Sequence, residues 1–426
     1  MLTVKDKYLY SKGRRIFYLA DTNWGAFSSI NMNDWKYYLH TRKEQGFNAI
    51  QINLLRQWDN GEPLKGRNPF PISKEIDGKY KYDYTKINES YFDNAEKMLD
   101  EMMKINMIPS LVLLWGNYVP GTWMRGISPN NIMPFEDIKP YIEYVVERFK
   151  KYHPLWIVSG DVGFGKAEGP DPEKTKKYYQ EVLNVAKTVD TKGIFSFHIN
   201  GGSSYLPQEF LKEVNVFLYQ SGHDISTQSS AYSIPRQLRK RGFKGPIIDS
   251  ELCYEGLIEI SKDNLERYHD YDVRKAAWEA VLSGADAGLG YGTFGIWPWT
   301  DSTRPETLAR NIFTRDLKPF DWRVCLNLKG ARDLGFLKQL MLNLSKDELM
   351  PINNKSKDFF AAESRNHILI YLPTNNTFNF DDLGLTVDCC QVVELDSNDI
   401  KEGTIINNTL QLGTSLEDKL IVIDKK

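Results

Sequence analysis

Eight short apolar runs alternate with helical patterns along most of the chain, and few folds can absorb that beat. The strand-like runs cover 15–21, 47–55, 107–114, 154–161, 193–199, 214–220, 245–251 and 287–297. Helical patterns cover 33–45, 87–104, 135–152, 172–189, 207–213, 234–241 and 273–285, and an eighth, 330–344, follows the last run. Asn33 and Asp34 read as start signals for the first helix and Asp171-Pro172 for the fourth, while Gly46 and Gly242 read as stops. Most of the strand-like runs are apolar nearly throughout, as in strands buried on both faces. Strand then helix, repeated eight times, is the pattern of an α/β protein with a closed parallel (β/α)8 TIM barrel. A doubly wound open sheet is the competing architecture. It would place a glycine-rich phosphate loop after the first strand, where Asp21-Thr22-Asn23-Trp24-Gly25 stands instead.

From about Ser345 the texture changes to short alternating runs at 359–364, 367–372, 377–380, 391–395, 404–412 and 420–423. Turn clusters such as Thr374-Asn375-Asn376 and Ser397-Asn398-Asp399 separate them. We expect a barrel over residues 1–343 and a small C-terminal antiparallel β-sandwich over 344–426, a division that suits 426 residues.

Charge excludes several partners. The 54 Lys and Arg and 56 Asp and Glu are intermixed for a net charge of -2, with no basic stripe for nucleic acid and no polybasic tail for a membrane. No apolar run is long enough to span a bilayer. The four cysteines, Cys253, Cys325, Cys389 and Cys390, have neither metal-ligand spacing nor a disulfide framework. Free thiols and the absence of an apolar signal region in Met1-Leu2-Thr3-Val4-Lys5-Asp6-Lys7 suggest a cytoplasmic protein, although a leader already removed would leave the same start.

Two of the eight runs, Leu155-Trp156-Ile157-Val158-Ser159-Gly160-Asp161 and Pro246-Ile247-Ile248-Asp249-Ser250-Glu251, are the most informative: each reads as a buried strand that ends in a carboxylate and is followed by a turn-rich stretch. The C-terminal ends of barrel strands are where such enzymes keep their chemistry. Two acids on different strands suit glycoside hydrolysis, in which one carboxylic acid protonates the leaving oxygen and a second carboxylate acts across the anomeric carbon. Asp161 is the candidate acid and Glu251 its partner; alone, Asp161 would read as a turn residue. Tyr254 can orient Glu251, and Glu255 can bind a substrate hydroxyl or form a structural ion pair. Asp249 shares a face with Glu251 and is better read as buried in the barrel interior.

The other strand ends are rich in groups that bind sugars. We expect substrate contacts from Asp21, Trp24, Gln57, Trp115, Asn117, His198, Gln220, His223, Tyr254, Glu255, Tyr291 and Trp297. Amides and carboxylates bind vicinal hydroxyls, and aromatic faces stack on sugar C–H surfaces. Singly, each of these is more often a core or rim residue; their recurrence at most strand ends carries the argument. The six histidines are scattered and none lies on the first strand, so no metal site is expected, and no cofactor. Serine-nucleophile and P-loop patterns are absent.

The residues that carry a family resemblance run in order along the putting-together of this barrel: Phe17-Tyr18-Leu19-Ala20-Asp21-Thr22-Asn23-Trp24, Arg42-Lys43-Glu44-Gln45-Gly46-Phe47-Asn48-Ala49-Ile50-Gln51, Trp115-Gly116-Asn117 and Trp156-Ile157-Val158-Ser159-Gly160-Asp161. Phe197-His198, Gln220-Ser221-Gly222-His223, Glu251-Leu252-Cys253-Tyr254-Glu255, Gly284-Ala285, Tyr291-Gly292 and Ile296-Trp297 complete the set. In these segments the chain resembles the apiosidase-like glycoside hydrolase family. The resemblance implies that Asp161 is the acid/base and Glu251 the nucleophile, and that the tail is the small β-sandwich once labelled collagen-binding. Two positions depart from the family pattern: Ser159-Gly160-Asp161 replaces Gly-Gly-Asp, and Leu252 replaces a proline.

The function expected is hydrolysis of a glycosidic bond in an oligosaccharide, exo-acting and retaining. An endo-glycanase on the same scaffold would show an open groove instead of a blind pocket. A non-catalytic carbohydrate-binding protein would lack turnover on aryl glycosides.

Overall fold

The structure, a computed structural model, describes residues 1–76, 79–166, 168–259, 266–304, 317–345, 348–352, 357–374, 376–413 and 417–425; Asn375 of the expected turn lies outside them. Eight parallel strands form the barrel: β1 (Tyr18–Thr22), β2 (Ala49–Asn53), β3 (Ile108–Trp115), β4 (Leu155–Gly160), β5 (Ile194–Ser196), β6 (Phe217–Gln220), β7 (Ile247–Glu251) and β8 (Gly288–Tyr291). They pair in the order β5-β4-β3-β2-β1-β8-β7-β6, so every neighbour in space is a neighbour in sequence or closes the ring between β8 and β1. Apart from Ile108 at the start of β3, every residue of these strands is buried, which explains their unbroken apolar texture.

No continuous ladder joins β5 to β6. The seam is fastened instead by Asn215 N–H to the Phe195 carbonyl at 2.9 Å, Leu218 N–H to Ser196 Oγ at 3.3 Å and Gly202 N–H to the Gln220 carbonyl at 3.0 Å.

Helices close to those expected cover the strands, with instructive differences. The first, Met32–Glu44, is capped by Asn31, whose side chain accepts from the N–H groups of Asn33 and Asp34. The residues expected to start the helix are thus the donors, and the cap precedes them. The run at 287–297 forms a strand only to Tyr291, because the Thr293 carbonyl accepts from the N–H groups of Gly295 and Ile296 and turns the chain back. Sequence reading missed a meander of Leu2–Lys5, Tyr8–Ser11 and Arg14–Ile16, and a hairpin of Ile72–Ile76 with Lys79–Tyr82 in the loop after β2.

The tail is the expected antiparallel sandwich. Its larger sheet runs Met350–Pro351, Phe360–Glu363, His367–Leu372, Lys419–Asp424, Gln391–Glu394 and Asp399–Glu402 in spatial order. Alternate residues face opposite ways. Phe360, Leu369, Tyr371, Leu420 and Val422 join the core of the barrel, while Ala361, Ile368, Ile370, Ile421 and Ile423 pack with Phe378, Phe380 and Leu410 on the side of a smaller sheet of Thr377–Asn379, Thr409–Gln411 and Thr404–Ile406. At the joint, Arg274 donates to Asp418 at 2.7 Å, to Asp333 at 2.7 Å and to Asp270 at 2.8 Å. Among the described residues no helix is long and apolar enough to cross a membrane.

Candidate active site

Strand β4 ends at Gly160, where a Cβ would fall 2.1 Å from the Trp115 ring, so only glycine lets that indole lie against the strand. Asp161 follows with φ +53°, a left-handed conformation that aspartate tolerates better than most residues. Its Oδ1 accepts from Gln220 Nε2 at 3.0 Å, and its main-chain oxygen accepts from Trp123 Nε1 at 3.1 Å. Burial, then the charge of Glu251, push the Asp161 carboxyl up to about 6.

Glu251 closes β7 and lies between two imidazoles. His223 Nδ1 accepts from the Tyr254 N–H at 3.3 Å, so the ring's hydrogen sits on Nε2 and is donated to Glu251 Oε1 at 2.9 Å. His198 Nε2 is 3.2 Å from Glu251 Oε2. The two amide hydrogens of Gln220 go to Asp161 and, at 2.7 Å, to the Ile199 carbonyl, which leaves His198 Nε2 to donate to Glu251. Burial alone would raise the Glu251 carboxyl, but the hydrogen bonds it accepts from His198 and His223 outweigh it and hold the group down at about 2. One carboxyl is held up and the other down side by side: Gln220 donates to Asp161, and its Nε2 lies 3.4 Å from the His198 Nε2 that donates to Glu251.

Both carboxyls line a cavity of about 340 Å³ at the C-terminal mouth of the barrel. Aromatic rings make its walls. Trp24 meets Trp115 edge to face with centroids 4.9 Å apart and donates through Nε1 to the Tyr254 hydroxyl at 3.2 Å, and Tyr254 packs on Trp297 at 5.0 Å.

Of the residues expected here, Trp24, Gln57, Trp115, Asp161, Gln220, His223, Glu251, Tyr254 and Trp297 line the cavity. His198 is fully buried behind Glu251. Four others lie outside the lining. Asp21 accepts from Arg42 at 2.7 Å and Tyr38 at 2.8 Å within the barrel wall, and Glu255 is held by the Tyr291 hydroxyl at 2.5 Å and the Gly330 N–H at 3.1 Å. Asn117 is buried in the turn Gly116–Tyr118. Sequence reading missed Asp59 and Trp123, which reach the lining from the long loops after β2 and β3, and Asp224 and Thr227 after β6. Loop length was the available signal for the first pair. Among the described residues no group of three or more His, Cys, Asp or Glu is placed to hold a metal ion.

The family described as "Apiosidase-like, catalytic domain" matches residues 4–347. The chain belongs to the apiosidase-like family. No curated protein matches the sequence. Among solved structures, a glycoside hydrolase superposes on this apiosidase-like chain with a TM-score of 0.75 at 19% identity, covering 100% of this chain and 97% of that one. A glycoside hydrolase family 5 structure from Bacteroides vulgatus gives 0.76 at 18% identity, over 100% of this chain and 93% of its own. An endo-1,4-β-mannanase from Rhizomucor miehei gives 0.52 at 13% identity, over 80% of this chain and 99% of its own. At these identities the likeness is one of fold, and the fold is the barrel of glycoside hydrolases.

Proposed function

We propose that this apiosidase-like protein is an exo-acting, retaining O-glycosidase, with Asp161 as acid/base and Glu251 as nucleophile. The observation that carries the reading is the opposed state of the two carboxyls in one cavity, about 6 for Asp161 and about 2 for Glu251. Such a split is how a paired-carboxylate site assigns its acid and its nucleophile. In the first step Asp161 gives its proton to the glycosidic oxygen as the bond from that oxygen to the anomeric carbon breaks. Glu251 attacks the same carbon from the other side and forms a covalent glycosyl ester. Asp161, now a carboxylate, takes a proton from water, which displaces Glu251 and restores the original configuration. The cavity, near the small end of ligand pockets, suits one sugar unit better than an extended chain.

We place the chemistry in residues 1–343 and give 344–426 a structural role. Four free cysteines fit a reducing compartment such as the cytoplasm. NMR of the first-formed sugar tests the mechanism: retained configuration is expected, and inverted configuration would make Glu251 a general base. Glu251→Ala with azide should yield the glycosyl azide of inverted configuration. Asp161→Ala should spare substrates with good leaving groups and give the retained azide.

A further inference from the structure

Asp59 reaches the cavity lining from the loop after β2 and is only 3% exposed. One of its oxygens, Oδ2, accepts from Trp297 Nε1 at 2.8 Å. The other, Oδ1, is buried and has no hydrogen-bond partner. Buried polar atoms are nearly always paired, so an unpaired carboxylate oxygen at a cavity calls for a partner that arrives with the ligand. Trp115, another residue of the lining, likewise has a buried and unpartnered Nε1–H. One atom accepts and the other donates. A sugar hydroxyl does both, offering its hydrogen to a carboxylate and its oxygen to an indole N–H.

The charge of the lining narrows the choice. Asp59, Asp161, Asp224 and Glu251 contribute carboxyl groups, and no Lys or Arg is among the described lining residues. A sugar bearing its own carboxylate would bring a like charge into this setting with no cation to meet it. A neutral sugar brings only hydroxyls.

We propose that Asp59, braced by Trp297, is a specificity-determining residue that accepts a hydrogen bond from a ring-edge hydroxyl of an uncharged sugar, and that the cavity rejects uronic acids. This rests on the cavity being the sugar site of the proposed glycosidase.

Direct binding of free monosaccharides tests it without turnover. Calorimetry and saturation-transfer NMR would be run on the full chain with neutral pentoses and hexoses, beside glucuronic and galacturonic acids. A neutral sugar should bind and both uronic acids should not. In Asp59→Asn the amide can still accept from Trp297 but places a donor where the free oxygen was, and affinity for the best neutral sugar should fall about tenfold or more. The thermal midpoint should stay close to that of the unmodified protein. Unchanged affinity in Asp59→Asn, tighter binding of a uronic acid, or no binding of any neutral sugar would overturn the proposal. The comparison of neutral and charged sugars needs no variant, so it stands even if Asp59→Asn misfolds. A protein that binds neutral sugar through Asp59 yet cleaves no aryl glycoside would overturn the catalytic reading alone. Cleavage and binding of neutral glycosides untouched by Asp59→Asn would overturn this inference alone.

Discussion

The two imidazoles on Glu251 differ in what their second nitrogens can do. His223 Nδ1 is taken up as the acceptor of the Tyr254 N–H. His198 Nδ1 instead meets Ser250 Oγ at 3.3 Å, and that hydroxyl spends its hydrogen on the Tyr219 carbonyl at 3.0 Å, leaving its lone pairs to accept. His198 therefore has an oxygen acceptor at each ring nitrogen, and His223 does not. In the proposed mechanism Glu251 must be ionised, so activity is lost as pH falls through its low value. Asp161 must carry a proton, so activity is lost as pH rises through about 6. His198→Gln should move the acid limb of kcat/KM to higher pH, and Asp161→Asn should remove the basic limb along with most of the rate; pH–rate profiles of both variants check this. Asp161 and Glu251 were legible in sequence because each directly ends or follows an apolar strand. Asp59 was not, since its orientation depends on Trp297, 238 residues further along. Asp21 stands at a strand end as the site residues do, and only the helix carrying Tyr38 and Arg42 shows that it faces the wall.

The helix Met32–Glu44 links local capping to that wall. Asn31 satisfies two of the N–H groups that its first turn leaves open. Asn31→Ala should therefore lower unfolding free energy by about 0.5–2 kcal/mol, read by urea denaturation. Barrel strands were easy to find because burial on both faces makes them continuously apolar. The missed elements lack that property. In the first meander the turns use Asp6 at φ +54°, Lys12 at φ +51° and Gly13 at φ +75°, of which only the glycine announces a turn. The hairpin strands Ile72-Ser73-Lys74-Glu75-Ile76 and Lys79-Tyr80-Lys81-Tyr82 are rich in charge and carry too few apolar residues for a buried pattern. The run at 287–297 misled in the other direction, since Phe294, Ile296 and Trp297 are buried in a turn.

At the scale of the whole molecule, one face of the sandwich is built into the core of the barrel, and Arg274 is the polar pin at that joint. It lies on the helix Asp270–Val281, and its partners come from that helix, from Lys329–Leu344 through Asp333, and from the tail through Asp418. Arg274→Met would strand Asp333 and Asp418, both nearly fully buried, without their main cation. A loss of about 3–5 kcal/mol is expected, with a fall in thermal midpoint far larger than any change in turnover on small glycosides; calorimetry beside kinetics checks both. The seam between β5 and β6 has a different reach. Its upper end is drawn together by Gln220 Nε2 on the Ile199 carbonyl, and the same amide holds Asp161. The clasp of the hoop and the arm that holds Asp161 are thus one side chain. Under the proposed mechanism, a fluctuation that parts the hoop there would also drop Asp161 out of alignment, and a sugar that pins the amide would keep the hoop shut. Occupancy of the mouth and tightness of the ring are therefore expected to rise together, with the amide hydrogens of Asn215, Leu218 and Gly202 at the seam exchanging more slowly when a neutral sugar is bound.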